Sequence, residues 1–328
     1  MNKKINSSKI IKNNNNNQES EEESENFKNE IKIKIDDTNT SKKTEYQKEK
    51  INLNDESSSF LQNNNQEIET IEYYKIITFK KAYKYFWNQN YSIEQKKIKL
   101  HYNNQNKSFF SLLCSCCKKH KKIPSEFFND YIKILCISKL EYNDNKPFHF
   151  NLLYTIYNFL TSSTDCKKIG NHWEKIGFQS ENPSQDFRSV GMLNLFQTIA
   201  FIYYYPDIMK KFYDYINKQK CNWLFMSILI NLTRISLNLL NEDKLINYII
   251  NKNSIVKGIN DIFFGMVFYF FEKIQKEKKL TAEYVSKIIN LISISSKNNV
   301  NLFYFKLNQI DKEKNDKTNN QNNNINKL

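Results

Sequence analysis

Five glycines and four prolines in 328 residues leave this chain few ways to turn sharply. Average usage would supply about 23 and 16. Sandwiches and barrels depend on frequent special turns, so a chain this poor in turn formers reads as helical. The apolar pattern agrees. Ile76, Phe79, Tyr83, Phe86 and Trp87 share one face at helical spacing, and so do Phe128, Tyr131, Ile132, Leu135 and Cys136 after Pro124. Leu152, Leu153, Ile156, Tyr157 and Leu160 follow Pro147. Leu193, Phe196, Ile199, Ala200, Tyr203 and Tyr204 precede Pro206, which opens a further face of Met209, Phe212, Tyr213 and Ile216. Residues 223–240, 245–250, 255–274 and 282–294 fit helices in the same way. Residues 71–300 show no strand alternation and no internal repeat. The expected fold is all-α, a single bundle-like domain of about eight to ten helices.

Residues 1–70 hold Asn13–Asn17, Glu21–Glu23, Ser57–Ser59 and Asn63–Asn65 among few large apolar side chains. Such a segment buries too little surface to offset the entropy of ordering it, and reads as disordered. Residues 301–328 read as an Asn/Lys-rich tail, unable to fold from about Asp311 onward for the same reason. Residues 71–300 are left as the helical domain, long enough for one core.

The net charge is +14. Residues 1–70 carry 11 Lys against 14 acids, whereas residues 71–148 carry 15 Lys against six. The positive field therefore belongs to the rest of the chain. It suits an anionic membrane surface or an acidic protein, or else serves solubility alone. The lysines are not interleaved with a recognisable nucleic-acid module, which disfavours that partner.

The polar N-terminus shows no secretory signal. The six cysteines, Cys114, Cys116, Cys117, Cys136, Cys166 and Cys221, are thus expected to be reduced thiols of a cytoplasmic chain, peripheral on membranes if it meets them at all. Cys114, Cys116 and Cys117 adjoin a basic run through Lys122, with His120 inside it. They are candidates for S-palmitoylation beside anionic lipid, a two-signal anchor; the competing reading is a solvated basic loop. Cys-x-Cys-Cys lacks the paired spacing of a zinc site, so no metal is expected. His149 and His172 lie near helix starts and read as structural. The longest apolar run, Ile262–Phe271, is too short to span a bilayer and reads as a buried helix.

Residues 170–191 stand apart. Three of the five glycines are here (Gly170, Gly177, Gly191), together with Trp173 and one of only two arginines, Arg188. The other 47 cations of the 49 are lysines. A chain that defaults to Lys needs Arg where the planar fork does what an ammonium cannot. Gly177 and Asn182-Pro183-Ser184 force turns between two helices. Ser184 or Asp186 is expected to cap the second helix, running from about Phe187 to Tyr204, with Arg188 in its first turn. A cation is disfavoured there by the helix dipole. Either Arg188 pairs with a carboxylate such as Asp186 and ties the turn, or it is presented to an anionic ligand, with phosphate the natural target of its fork.

At this point the segment resembles the ELMO (engulfment and cell motility) domain. Trp173, Ile176-Gly177-Phe178-Gln179, Pro183, Asp186-Phe187-Arg188, Gly191 and Leu193 echo the pattern W-x-x-IGFQG-x-DP-x-TDFRG-x-G-x-LGL. His149, Leu152-Leu153 and Asn158-Phe159-Leu160 look like the family's preceding helix, and Ile230-Asn231-Leu232-Thr233 like its later one, so the resemblance covers about residues 125–295. The chain departs from the pattern at Ser180, Asn182, Gln185, Ser189 and Asn194.

The resemblance implies regulation of small GTPases, with no cofactor. In the stand-alone branch of the family, which acts on Arf and Arf-like GTPases, the arginine of Asp-Phe-Arg is the proposed catalytic residue, and it falls on Arg188. Gln179, Asp186 and Asn182 would position the loop with Gly177 and Gly191, and Trp173 and Phe178 would anchor it. The alternative is a non-catalytic adaptor that couples GTPases, or Dock-type exchange factors for Rac, to actin, phagocytosis and motility. A third is a helical interaction protein in which the motif serves packing alone. The chain has no Walker loop, nucleophile elbow or His-Glu-x-x-His, so it is not expected to hydrolyse GTP by itself.

Overall fold

Helix formation follows the apolar faces in the computed structural model, which describes residues 72–106, 123–221 and 224–325. Eleven α-helices occur among the described residues, and no strand. They are α1 (Phe79–Asn88), α2 (Ser92–Asn106), α3 (Ser125–Lys139), α4 (Pro147–Thr161), α5 (Leu193–Tyr204), α6 (Pro206–Lys218), α7 (Phe225–Asn241), α8 (Ile246–Lys252), α9 (Ile255–Gln275), α10 (Ala282–Asn298) and α11 (Asn301–Ile325). Two 3₁₀ helices, Asn171–Ile176 and Pro183–Ser189, lie between α4 and α5. The fold is all-α, as the turn-poor composition requires. The Cys114, Cys116, Cys117 cluster, His120, Trp223 and residues 1–70 lie outside the described residues.

Two helices organise the rest. α9 is buried from Gly258 to Phe270, and α3, α5, α7, α8, α10 and α11 pack around it. A helix apolar on every side must be central. α5 is buried from Leu193 to Ile202 and touches α1, α3, α4, α6, α7 and α9. No single helix among the described residues is long and apolar enough to cross a membrane; α8 and α9 together have the apolarity of a broken span, bent by 116°, but α9 is wrapped by other helices.

Local chemistry sets the ends. Thr78, Ser254 and Thr281 cap α1, α9 and α10 through their side-chain oxygens. Pro147 and Pro206 occupy first-turn positions, where a missing N–H costs nothing. The extended segment before α1 lies against α4: Lys75 N donates to Asn151 Oδ1 and Ile77 N to Thr155 Oγ1, while Asn151 Nδ2 donates to the carbonyl of Glu72. Ile76 therefore stands outside α1 and is exposed, not on the helical face its spacing suggested. On α3 Tyr131, Ile132 and Cys136 of the expected face are buried, together with Phe127, Ile134 and Ile137, while Phe128 and Leu135 are only partly buried.

Residues 301–328 do not behave as a tail throughout. Phe303, Tyr304 and Leu307 of α11 are buried, and the Lys306 ammonium pairs with Glu272 of α9 at 2.5 Å. Tyr205 donates to Asp311 Oδ1 at 2.6 Å, and the Lys314 ammonium to the Tyr204 carbonyl at 2.8 Å. The helix is continuous through Asp311 into the Asn-rich stretch because its first three turns are docked on the core.

Candidate functional site

The segment 170–191 folds as two short 3₁₀ helices bound by aromatic packing. Trp173 is fully buried and donates its indole N–H to the Lys168 carbonyl. Its ring meets Phe178 edge-on, Phe178 meets Phe187 edge-on, and Phe187 tilts against Tyr142. One aromatic chain thus runs beneath both 3₁₀ helices. Gly177 closes the first at φ +94°, a conformation that costs glycine little. The Lys175 carbonyl is held by the Tyr213 hydroxyl of α6.

The loop between them is closed by its own polar groups. Asn182 Oδ1 accepts from Ser184 N at 3.0 Å and so caps the second 3₁₀ helix, in place of Ser184 or Asp186. Ser180 Oγ donates to the Asn182 carbonyl at 2.9 Å and accepts from Asn182 N at 3.3 Å. Two of the departures from the family pattern thereby stabilise each other. Asp186 Oδ2 accepts from the Gln179 main-chain N–H at 3.2 Å, which ties the loop across its mouth. Burial raises the Asp186 pKa, and the hydrogen bond from Gln179 opposes that.

Arg188 is exposed, and no hydrogen bond or ion pair engages it among the described residues. The expected alternative of a pair with Asp186 is not what forms, because Asp186 is turned to the loop backbone. Nor does Arg188 open an α-helix. It lies in the last turn of the second 3₁₀ helix, which ends at Ser189, and the chain kinks through Val190–Met192 before α5 starts at Leu193. At a helix C-terminus a cation is favoured, so the dipole objection to this position disappears. The kink arises at Gly191, where φ is +52° and an added Cβ would lie 2.6 Å from the Ser138 carbonyl oxygen and 2.7 Å from that of Leu140. What approaches this glycine is the end of α3, and Met192 N donates to the Leu140 carbonyl at 3.0 Å.

The second 3₁₀ helix stands between two clefts. On one side Asn182 and Ser184 border a polar space of about 600 Å³, shared with Tyr91, Lys139, Tyr142 and Lys146. On the other, Gln179, Gln185, Asp186 and Ser189 face Ser227, Ile230, Asn231 and Arg234 of α7 across about 230 Å³. The α7 register is fixed from inside: Asn194 Nδ2 donates to Thr233 Oγ1, and Gln197 Nε2 to the Ile259 carbonyl and to Ser236 Oγ. Arg234 is the residue that sequence reasoning passed over. The signal was present, since it is the only other arginine and it directly follows Ile230-Asn231-Leu232-Thr233.

The two histidines near helix starts each accept a main-chain hydrogen bond. His149 Nδ1 accepts from Asn143 N, and His172 Nε2 accepts from Lys167 N. No group of three His, Cys, Asp or Glu side chains suited to a metal occurs among the described residues. Cys136, Cys166 and Cys221 are buried free thiols whose pKa burial raises.

Residues 133–289 match the family model described as ELMO/CED-12. Among curated proteins, the chain is 25% identical to ELMO domain-containing protein 3 of Mus musculus over 214 residues, 63% of this chain and 54% of that protein. It is 28% identical to ELMO domain-containing protein 2 of Bos taurus over 155 residues, 45% of this chain and 52% of that protein. With ELMO domain-containing protein B of Dictyostelium discoideum it shares 26% over 142 residues, 43% and 49% of the two chains. The chain thus spans about half the length of these curated relatives. No solved structure matches it.

Proposed function

We propose that this chain, which belongs to the ELMO/CED-12 family, regulates a small GTPase by presenting Arg188 to the phosphates of its bound nucleotide. The observation that carries this is a guanidinium left exposed and unpaired, among the described residues, on a rigidly seated turn. Trp173, Phe178 and Phe187 hold the turn from beneath, Asp186 closes it, and Gly191 seats it against α3. Because the turn is already held and no partner has to be displaced, meeting an anion costs only the ordering of the Arg188 side chain itself. In phosphoryl transfer an inserted arginine stabilises charge developing on the β/γ-phosphate oxygens and is worth about 10³–10⁵ in rate. A lysine supplies charge without the two-point planar geometry. The partner class best suited is an Arf or Arf-like GTPase.

The test is single-turnover GTP hydrolysis by Arf, Arf-like, Rac and Ras-type GTPases with the wild-type chain and with Arg188→Lys. Acceleration that falls about a hundredfold or more in the variant is expected. Equal acceleration by both proteins would remove the arginine's catalytic role, and binding without acceleration would leave a module coupling a GTPase or an exchange factor to other machinery. Binding to no GTPase would remove the proposal altogether.

A further inference from the structure

Of the two arginines of the chain, Arg188 lies in the second 3₁₀ helix and Arg234 lines the cleft behind that helix, which no lysine lines. Arg234 is exposed on α7, yet its guanidinium is not loose: Nη2 donates to Asn231 Oδ1 at 2.6 Å, and Asn231 Nδ2 donates to the Ser227 carbonyl one turn earlier at 2.8 Å. The fork is braced, and most of its five N–H donors remain unspent. Facing it across the cleft is Asp186, with Oδ2 on the Gln179 N–H. Among the described residues no ion pair joins Asp186 to either arginine.

The composition of the cleft selects its occupant. An anion would be drawn to Arg234 but repelled by Asp186. A cation would be drawn to Asp186 but repelled by Arg234, with Arg188 on the same short helix as Asp186. An apolar group would strand a guanidinium and a carboxylate, and Ile230 is the only large apolar side chain in the lining. A neutral group with an acceptor oxygen and a donor nitrogen on one carbonyl carbon satisfies both walls. We propose that this cleft binds a carboxamide or main-chain peptide group of the partner protein, its oxygen on Arg234 and its N–H on Asp186. Gln185, Ser189 and Asn231 supply further polar edges, and a space of about 230 Å³ suits one such group. This deepens the GTPase-binding proposal and rests on it: Arg188 would meet the nucleotide while Arg234 and Asp186 hold the protein surface beside it.

The experiment uses the full chain and whichever GTPase of the panel wild type binds best, loaded with a non-hydrolysable GTP analogue. Dissociation constants are measured at low and moderate salt for wild type, Arg234→Lys and Asp186→Asn. Lys keeps the charge at position 234 and loses the fork; Asn at 186 keeps an acceptor for the Gln179 N–H and loses the charge. Both variants are expected to weaken binding about tenfold or more, with little change in salt dependence. For Arg234→Lys the loss should appear in the dissociation constant rather than in the saturated hydrolysis rate, the reverse of Arg188→Lys. Tighter binding by Asp186→Asn with a steep salt dependence would overturn the proposal in favour of an acidic ligand. Wild-type affinity in Arg234→Lys would overturn it while the GTPase proposal stood. Should Asp186→Asn fail to fold, Arg234→Lys, altered only on an exposed helical face, decides alone. Binding to no GTPase by wild type would overturn both proposals together.

Discussion

Gly191 shows how a single position couples packing to presentation. Its φ of +52° is poorly suited to other residues, and two carbonyl oxygens of the α3 end occupy the place of a side chain. Neither oxygen belongs to a flexible group that could swing aside. Gly191→Ala is therefore expected to lose about 2–4 kcal/mol of stability, the left-handed penalty plus overpacking, read from the urea midpoint. A midpoint like that of wild type would mean that the kink relaxes freely. At this scale the sequence was informative where it was unusual. An arginine in a lysine-rich chain marked position 188, and the same reasoning applied once more would have marked 234. What one residue type could not reveal was pairing. Whether Asp186 faces Arg188 or the loop depends on a 3₁₀ geometry that hydrophobic spacing does not encode, because 3₁₀ helices this short have no repeating apolar face.

Among the elements, the legible helices were those with a continuous apolar face or a proline at the first turn, such as α4, α5, α6 and α9. α2 was not foreseen because Ile93 and Leu100 are exposed among lysines and amides, so no face distinguishes it from a loop. The composition of α11 conceals its docking because it averages over two unlike halves: three docked turns with Phe303, Tyr304 and Leu307, then an Asn-rich extension. Its seat on α9 is tight. The Phe303 carbonyl occupies the space where a side chain at Gly265 would lie, and Tyr304 stacks on Tyr248 of α8. Gly265→Ala sets two effects against each other. Helix propensity favours alanine by about 1 kcal/mol, whereas forcing α11 off α9 costs about 1–3 kcal/mol and loosens the Lys306–Glu272 pair. The second effect should win. Amide exchange is expected to accelerate through residues 301–310 and to stay slow in α5. Unchanged protection of 301–310 would show that α11 does not depend on this contact.

For the whole molecule, acid response follows from where the helices bury ionisable groups. Asp261 lies on the central α9, where burial above all raises its pKa from 3.8 to about 6; the bond from Tyr248 and the nearby Lys257 and Lys252 oppose this, and Asp311 adds to it. His149 lies within α4, where burial, helped by Lys146, lowers its pKa from 6.5 to about 4. Between pH 4 and 6 the folded chain holds a proton on Asp261 that the unfolded chain has released, so this carboxyl makes stability fall as pH rises. Over nearly the same window the unfolded chain holds a proton on His149 that the folded chain rejects, so the imidazole makes stability rise as pH rises. Each effect is about 3 kcal/mol, and they nearly cancel. Asp186, raised by burial, and His172, lowered by it, form a second opposed pair beside the site. Asp261 and His149 together should therefore leave their joint contribution to wild-type stability nearly flat from pH 4 to 6. Asp261→Asn keeps an acceptor for the Tyr248 hydroxyl but removes the falling contribution. Its unfolding free energy, measured by urea titration at intervals of pH, is expected to climb by about 3 kcal/mol between pH 4 and 6.5 as the His149 effect emerges alone. A variant profile as flat as wild type would mean that neither group is held in the protonation state its burial dictates.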